Sequence, residues 1–230
     1  MCARFNLRTN PYTIAEIFGL LREPHWSSRY NIAPTQQVLV IRLNSDGERS
    51  GDLLRWGLIP SWAEDAGIGS KMINARAESL ATKPAFRDAF KKRRCVIPVS
   101  GFYEWQPITS RMTQPWHIHH RNDELLAFAG IWETWKDDDG ADLETCSIVT
   151  TVPNPFMAEV HDRMPVILPA AARHMWLDPK LQDPQVLQGL LVPFAEDSLI
   201  REPIGALINS PRNDSEACIK PVKLSRGLFD

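Results

Sequence analysis

Short apolar runs separated by polar turns recur through most of the chain and predict a protein rich in β-strands. Within these runs the apolar residues are continuous or alternate with polar ones, the patterns typical of buried and half-buried strands. The runs are VLVIRL (38–43), LLRWGLI (53–59), CVIPVSGFYEW (95–105, with a turn at Gly101), PWHIHHR (115–121), LLAFAGIWETW (125–135) and CSIVTTV (146–152). The polar stretch DDDGAD (137–142) between the last two is predicted to be a hairpin loop.

Helical periodicity is confined to short segments. Apolar residues recur every three or four positions in TIAEIFGLL (13–21), where Thr13 and Glu16 have the spacing of a capping box. In NPFMAEVH (154–161), a capping asparagine is followed by proline, an order that favours a helix start. The other predicted helices are RAESLATKPAFRDAFKKR (76–93, interrupted by Pro84), PAAARHMWL (169–177) and PQVLQGLL (184–191), and an extended CIKPV (218–222) follows them.

Together these elements predict an α+β fold. We expect one domain over residues 1–230, in which short helices flank a mixed, mostly antiparallel sheet. Many short strands are compatible with closure into a barrel, but the sequence leaves that closure open.

Composition narrows the class of protein. Of 230 residues, 43% are hydrophobic and 23% are charged, as in ordinary soluble proteins. The formal net charge of −2 argues against binding nucleic acid through bulk charge, although it leaves room for a local basic groove. No apolar run approaches the about 20 residues of a membrane span, and the first residues lack the apolar segment of a secretory signal. We therefore expect a cytoplasmic protein with no membrane partner.

The four cysteines include no C-x-x-C pair, and free thiols are expected. Cys95 and Cys146 lie in strand-like runs and are predicted to be core residues.

Cys2 differs from these core cysteines. By position alone it is a small residue at a mobile terminus. If Met1 is removed, however, Cys2 carries a free α-amine, with a pKa of about 7.7–8.0, beside its thiol. Such an aminothiol condenses with an aldehyde to an imine and then closes a thiazolidine ring intramolecularly.

Three further stretches offer candidate chemistry, each with a structural alternative. Asn74 and Arg76 have the alternate spacing of one strand face, and suit an amide that orients a reacting group and a guanidinium that binds phosphate. The alternative is a turn asparagine and a solvated arginine. Glu104 lies in an apolar strand, either paired on a wet face or held in a pocket that raises its pKa. His161 is either an acid or base, or a surface histidine at a helix end.

The remaining motifs are weaker indications of function. In WHIHH, His117 and His119 share a strand face while His120 faces the other way. No acidic or cysteine partner stands at ligand spacing, so neither a metal site nor a cofactor is predicted. The basic run KKRR (91–94) is typical of a solvated face that adds a phosphate contact. The sequence contains no G-x-S-x-G, P-loop or dinucleotide fingerprint.

Six stretches, in order, resemble the SRAP family, the SOS response-associated peptidases, also called abasic-site processing proteins. They are MC-x-RF at the start, RYNIAPTQ (29–36), RWGLIPSW (55–62), INARAES (73–79), R-C-x-IPVSGFYEW (94–105) and HDRMPVIL (161–168). The resemblance runs from residue 2 to about residue 180, and weakly through INSPRND and IKPV beyond it. The chain departs from the family at Ala3, where the family usually has glycine.

The resemblance implies a function in the DNA damage (SOS) response. Such proteins trap abasic sites in single-stranded DNA, and Cys2 would form a thiazolidine crosslink with C1′ of the ring-opened sugar. Asn74 would hold the Cys2 terminus, Glu104 would transfer protons, and His161 would assist opening of the sugar ring. The family is also assigned autoproteolytic removal of residues before the cysteine, hence its peptidase label. In this chain only Met1 precedes Cys2.

Contacts with DNA are expected both from the residue types and from the family resemblance. Arg4, Arg76 and Arg163 stand beside the candidate catalytic residues in the sequence and suit phosphate binding. The resemblance places Asn31, Pro34 and Trp62 at the DNA groove, where Trp62 would stack on a base and form a wedge with Pro34 against continuous duplex. The expected partner is single-stranded DNA with abasic sites, bound by a monomer.

Two other functions remain open from the sequence. One is a cysteine peptidase that acts on other proteins, with Cys2 as nucleophile and His161 or Glu104 as base. The other is a non-catalytic reader of modified DNA, which would not need the aminothiol.

Overall fold

The computed structural model describes residues 2–110 and 112–224. Strands account for most of the regular structure in these ranges. In chain order they are β1 Phe5–Leu7, β2 Arg29–Ile32, β3 Gln37–Leu43, β4 Arg49–Trp56, β5 Asn74–Arg76, β6 Arg94–Val99, β7 Gly101–Pro107, β8 Thr113–His120, β9 Leu126–Lys136, β10 Asp142–Thr151, β11 Met164–Pro165 and β12 Leu199–Pro203.

The helices are short and lie around the sheets. They are α1 Pro11–Phe18, α2 Arg87–Lys92, α3 Pro155–Ala158, α4 Ala170–Leu177 and α5 Pro184–Gly189. Across the described residues, no helix has the length and apolar character needed to cross a membrane.

The strands form two sheets. One has five antiparallel strands in the order β12-β8-β7-β1-β2. In the other, β10, β4, β3, β6 and β9 follow one another, and β9 pairs back with β10, so these five strands close into a barrel. Strand β10 runs parallel to β4 and β5, whereas its other partners and the remaining pairs are antiparallel. The predicted mixed, mostly antiparallel α+β fold is confirmed. The barrel is closed by the pairing of β9 with β10 in a long hairpin.

The helix predicted over 76–93 is wrong in its first half. Residues 74–76 form β5, which pairs with β10, and α2 begins only at Arg87. Pro84 lacks a backbone N–H and disfavours a helical residue before it, so the two halves cannot join. Pairing with β10 places Arg76, the first residue of the predicted helix, in a strand, and this pairing positions Asn74 and Arg76.

The first helix also begins earlier than predicted. Its cap is Asn10, whose side chain accepts from the backbone N–H of Thr13 at 2.9 Å, so Thr13 does not start a capping box. The helix ends at Phe18, because Gly19 takes a left-handed conformation with φ 64°. In the predicted extended tail 218–222, Cys218 and Ile219 belong instead to a 3₁₀ turn over Glu216–Ile219, whereas Lys220 is extended and Pro221 forms a β-bridge with Ile204.

Strand β4 ends before the predicted position, and a glycine explains why. Gly57 has φ 128°, and a Cβ on it would lie 2.6 Å from the carbonyl oxygen of Gly69. Only glycine fits this backbone and this close approach. The chain consequently leaves the sheet after Trp56 and forms the loop that presents Trp62 to solvent.

The basic run at 91–94 is not one solvated face. Lys91 and Lys92 are exposed, but Arg93 pairs with Glu133 at 2.5 Å. Arg94 is buried, and its guanidinium donates to five backbone carbonyls at the ends of α2 and α4, those of Phe90, Lys91, Trp176, Asp178 and Leu181. Burial lowers the pKa of Arg94 to about 10. Only the two lysines remain free to contact phosphate.

Candidate functional site

Cys2 lies inside the protein and not at a frayed end. It is fully buried, as are Cys95 and Cys146 in the core, where they were predicted. The Nδ2 group of Asn74 donates to the Cys2 carbonyl oxygen at 2.8 Å, and the Cys2 thiol lies 3.9 Å from the carbonyl oxygen of Arg4. The interpretation of Cys2 as a mobile terminal residue is therefore wrong.

The substitution of alanine at position 3 causes no backbone strain. Among the described residues other than glycine, positive φ angles occur only at Thr35 and Asp123. Ala3 therefore has a backbone conformation open to any residue, and its half-buried methyl group is accommodated next to Cys2.

Asn74 and Arg76 reach the site together because β5 runs parallel to β10. Ile148 pairs with Asn74 and Thr150 with Arg76, so the side chain between them, Ala75, faces the core. The predicted sharing of one strand face is confirmed. Asn74 is half-buried against Cys2, while Arg76 is exposed.

Glu104 is the buried acid of the site. It lies on β7, is only 3% exposed, and interacts electrostatically with the Cys2 thiol. The pKa of Glu104 is raised to about 7, mainly by desolvation and to a smaller extent by the nearby Asp162 carboxylate. Of the two sequence interpretations, the pocket with a raised pKa is confirmed.

The Cys2 thiol is protonated at rest. Burial is the main cause that raises its pKa far above the usual value, and the Glu104 charge adds to the effect. A thiol of this kind becomes a nucleophile only when a neighbouring base removes its proton.

His161 follows α3, which begins at the predicted cap Asn154. The imidazole is partly buried, and desolvation lowers its pKa. Its Nδ1 atom accepts from the backbone N–H of Arg163 at 3.0 Å and lies 2.8 Å from a carboxylate oxygen of Asp162. A neutral ring that accepts at Nδ1 carries its proton on Nε2, whereas a protonated ring would donate from Nδ1 to Asp162.

Two arginines at this site differ in availability. Arg163 donates to both carboxylate oxygens of Glu78, at 2.7 and 3.0 Å, and to the carbonyl oxygen of Thr150. Arg163 lowers the pKa of Glu78, and Arg76 contributes to the same shift. Arg163 is thus already paired with a carboxylate, and Arg76 is the more accessible cation. Glu78 was missed in the sequence, although it lies within the INARAES motif.

Arg4 and Asn31 bind each other and the segment 208–213. The Arg4 guanidinium donates to Asn31 Oδ1 at 2.7 Å and to the carbonyl oxygen of Ile208 at 2.8 Å. Asn31 is fully buried and donates to the carbonyl oxygens of Ser210 and Asn213. Both residues hold the segment 208–213 against β1 and β2, and the DNA contact that the resemblance implies for Asn31 stays a prediction.

Trp62 and Pro34 stand on loops at the end of β4. Trp62 is 60% exposed, and Pro34 is half-buried in a tight turn. The next residue, Thr35, has φ 71° and donates its backbone N–H to the Trp56 carbonyl oxygen at 2.8 Å. The Pro34 turn, which joins β2 to β3, and the Trp62 loop thus lie at the same end of β4.

Comparisons with known proteins agree on one family. The family described as SOS response associated peptidase (SRAP) matches residues 1–211. The abasic site processing protein YoqW of Bacillus subtilis is 44% identical over 223 residues, covering 96% of this chain and 99% of the relative. The abasic site processing protein HMCES of Gallus gallus is 30% identical over 235 residues, covering 89% of this chain and 69% of the relative. The crystal structure of a Bacteroides thetaiotaomicron protein aligns with a TM-score of 0.87 at 25% identity, covering 96% of this chain and 100% of that chain.

Proposed function

The chain belongs to the SOS response-associated peptidase (SRAP) family, and we propose that it processes abasic sites in single-stranded DNA by a covalent crosslink through Cys2. Relatives named abasic site processing proteins support the substrate. The observation that carries the mechanism is the setting of Cys2, whose carbonyl is held by Asn74 and whose thiol interacts with the buried acid Glu104.

The proposed reaction consumes an aldehyde and releases one water. Hydrolysis of the Met1–Cys2 bond first frees the α-amine. The amine attacks C1′ of the ring-opened sugar, and the resulting carbinolamine loses its hydroxyl group as water to give an imine. The thiol then forms the C1′–S bond, and its proton passes to the imine nitrogen to complete the thiazolidine.

The site residues divide the work of this reaction. Glu104, with a pKa near 7, accepts a proton from the amine or the thiol and returns one to the departing hydroxyl group. Asn74 fixes the Cys2 backbone so that amine and thiol meet the same carbon. A neutral His161 offers its Nε2–H to the sugar ring oxygen during ring opening.

The exposed residues around the site suit a single strand. Arg76 binds a phosphate, and Trp62 stacks on a base, which contributes about 1–3 kcal/mol. Pro34 beside the same strand end limits space for a paired strand. We assign Arg163 a dual state, paired with Glu78 in the free protein and available to phosphate when that pair opens.

The setting of the thiol disfavours the alternative functions. A cysteine peptidase uses a thiolate whose pKa is lowered by its surroundings, whereas burial raises the pKa of Cys2. A non-catalytic reader has no use for an aminothiol held beside an acid of raised pKa.

The test is a crosslinking assay on single-stranded DNA that contains one abasic site. Protein that lacks Met1 is expected to give a denaturation-resistant adduct, and Cys2→Ala is expected to give none. Cys218→Ala, which alters another buried cysteine, is the matched control and should crosslink normally. An adduct that persists in Cys2→Ala would refute the mechanism. If the wild type forms no adduct and Cys2→Ala binds the DNA with the same affinity as the wild type, the result would favour the non-catalytic reader.

A further inference from the structure

A second cluster of polar side chains lies on the face of β8 opposite to the Cys2 site. In the β7–β8 pairing, Glu104 is opposite Trp116 and Tyr103 is opposite His117, so His117 and His119 face away from Glu104. Strand β12 adds Glu202, which pairs with His117. One donor atom from each of His117, His119 and Glu202 lies within 4.8 Å of the others.

The two imidazole rings are held by one nitrogen each. They stack with centroids 4.7 Å apart and planes at 19°. His119 Nδ1 lies 3.1 Å from a carboxylate oxygen of Asp123, and His117 Nε2 lies 3.0 Å from Nδ2 of Asn6. These contacts hold the rings in the stacked arrangement of the metal-free protein.

The other nitrogen of each ring has no hydrogen-bond partner among the described residues. His117 Nδ1 and His119 Nε2 are both buried, on residues that are 2% and 7% exposed. His119 Nε2 is 3.5 Å from Glu202 Oε2 without forming a hydrogen bond. Buried polar atoms are nearly always paired, so two adjacent exceptions beside a carboxylate indicate a ligand.

We propose that His117 Nδ1, His119 Nε2 and the Glu202 carboxylate bind a divalent transition-metal ion, with Zn²⁺ as the best match. Two imidazoles and one carboxylate form a set typical of zinc with an open fourth position. Bonds of about 2.1 Å in a tetrahedron place ligand atoms about 3.4 Å apart. His119 Nε2 and Glu202 Oε2 are already close to this separation, at 3.5 Å, so the remaining adjustment is a turn of the stacked rings that brings their in-plane lone pairs together.

The two histidines differ in whether the nitrogen that would bind the metal carries a proton in the metal-free protein. His119 donates Nδ1–H to the His120 carbonyl oxygen at 3.1 Å, with the Asp123 carboxylate also 3.1 Å from Nδ1, and this leaves the Nε2 lone pair for the ion. For His117 the tautomer must change, because metal at Nδ1 puts the proton on Nε2, which faces the amide nitrogen of Asn6.

Asn6 therefore controls the affinity of the site. Its Oδ1 accepts from Arg8 Nε at 3.2 Å, and its Nδ2 donates to the Tyr103 hydroxyl oxygen at 2.9 Å. Metal binding requires the Asn6 amide to rotate so that Oδ1 accepts the His117 Nε2–H. This rotation breaks the hydrogen bonds of Asn6 with Arg8 and with Tyr103. No proton leaves the protein in this exchange.

The packing on β7 keeps the cluster compact. A Cβ on Gly101 would lie 2.3 Å from His117 Nε2, so any other residue would displace the ring. A bound ion would join β8 to the edge strand β12, and would stabilise the fold because it binds only the folded state.

The test is titration of the full chain with Zn²⁺ by calorimetry and with Co²⁺ by absorption. We expect one equivalent of Zn²⁺ to bind and to raise the melting temperature. Bound Co²⁺ should show visible d–d bands without a sulfur-to-cobalt charge-transfer band, and the same spectrum should appear in Cys2→Ala. Absence of stoichiometric binding, or a charge-transfer band, would overturn the proposal.

Variants separate this site from incidental binding. Glu202→Gln keeps the shape of a half-exposed side chain and is expected to weaken binding at least about tenfold, the effect of losing even an outer-shell partner. Glu124→Gln is the matched control, since its carboxylate lies beside His120, outside the cluster, and it should bind as the wild type does. Asn6→Asp, which offers a carboxylate to His117 Nε2–H, should tighten binding about tenfold. Equal affinity of Glu202→Gln and wild type would refute the site.

Discussion

At the scale of single residues, burial decides the proton chemistry around Cys2. The same desolvation that raises the pKa of Glu104 to about 7 also keeps the Cys2 thiol protonated. A carboxylate that is half-ionised near neutral pH takes a proton and returns it with little loss in either direction. Burying this acid has a cost in stability, which can be measured.

Glu104→Gln is predicted to stabilise the protein at alkaline pH. Unfolded, Glu104 titrates near 4.5, and folded near 7. Between these values the folded state binds more protons, so stability falls as pH rises through that window, by about 3 kcal/mol in total. Urea denaturation should show the variant more stable than wild type by up to about this amount at pH 8 and equal to it below pH 4.5.

The control for this comparison is Glu64→Gln, at an exposed position in the loop after Trp62. Its unfolding free energy should follow that of wild type at every pH. An identical stability of Glu104→Gln and wild type at pH 8 would contradict the raised pKa.

Sequence reasoning identified the candidate reacting residues and the Asn74–Cys2 contact, but not the contacts between polar groups that are distant in the sequence. Cys2, Asn74, Glu104 and His161 stand in short motifs that can be recognised one at a time. The partners of other polar groups, such as Glu202 beside His119, are separated from them by many residues and become visible only through strand pairing. Burial of Asn31 was hidden for the same reason, because segment 208–213 covers it.

At the scale of elements, strands with strong apolar patterns were predicted well and segments of mixed propensity were not. The β9–β10 hairpin and α3 appear where expected, because periodicity and turn residues agree there. Residues 76–93 look helical locally, yet Arg76 pairs with β10, Ala77–Ser79 form a 3₁₀ turn, and α2 begins only at Arg87. Barrel closure is similarly a property of strand order, which the residues of one strand do not specify.

Arg94 is predicted to be the main polar link between α2, α4 and the following loop. Arg94→Met would leave five backbone carbonyls without their donor, and we expect a loss of about 3 kcal/mol in unfolding free energy. Lys92→Gln, at an exposed position in the same basic run, should change it by less than about 0.5 kcal/mol. Chemical denaturation measures both, and a loss below about 1 kcal/mol for Arg94→Met would show that the carbonyls find other partners.

At the scale of the whole molecule, a net charge of −2 says little about DNA binding, because the arrangement of cations matters more than their sum. Many arginines here are committed to internal partners, among them Arg4, Arg93, Arg94 and Arg163. Arg76 remains exposed, two residues along β5 from Asn74, which contacts Cys2. Affinity for a single strand should therefore depend on few cations and respond sharply to the loss of one.

Arg76→Ala is predicted to weaken binding of single-stranded DNA and to reduce the slope of log K against log salt by about 0.7. Glu78→Gln should do the opposite, since it removes the partner that holds Arg163. Fluorescence anisotropy over a salt series measures both effects, and Lys180→Ala, in the loop after α4, should leave the slope unchanged. A wild-type slope in Arg76→Ala would exclude a phosphate contact by this residue.

The most direct test of the central claim is the mass of the crosslinked product. Protein is incubated with an oligonucleotide that has one abasic site, and the adduct is analysed intact and after digestion. We predict the mass of the chain without Met1 plus the oligonucleotide minus one water, with the modification on Cys2 and no gain of hydrogen after borohydride treatment, because a thiazolidine has no C=N bond. An adduct on a lysine, or one that borohydride reduces, would contradict the account.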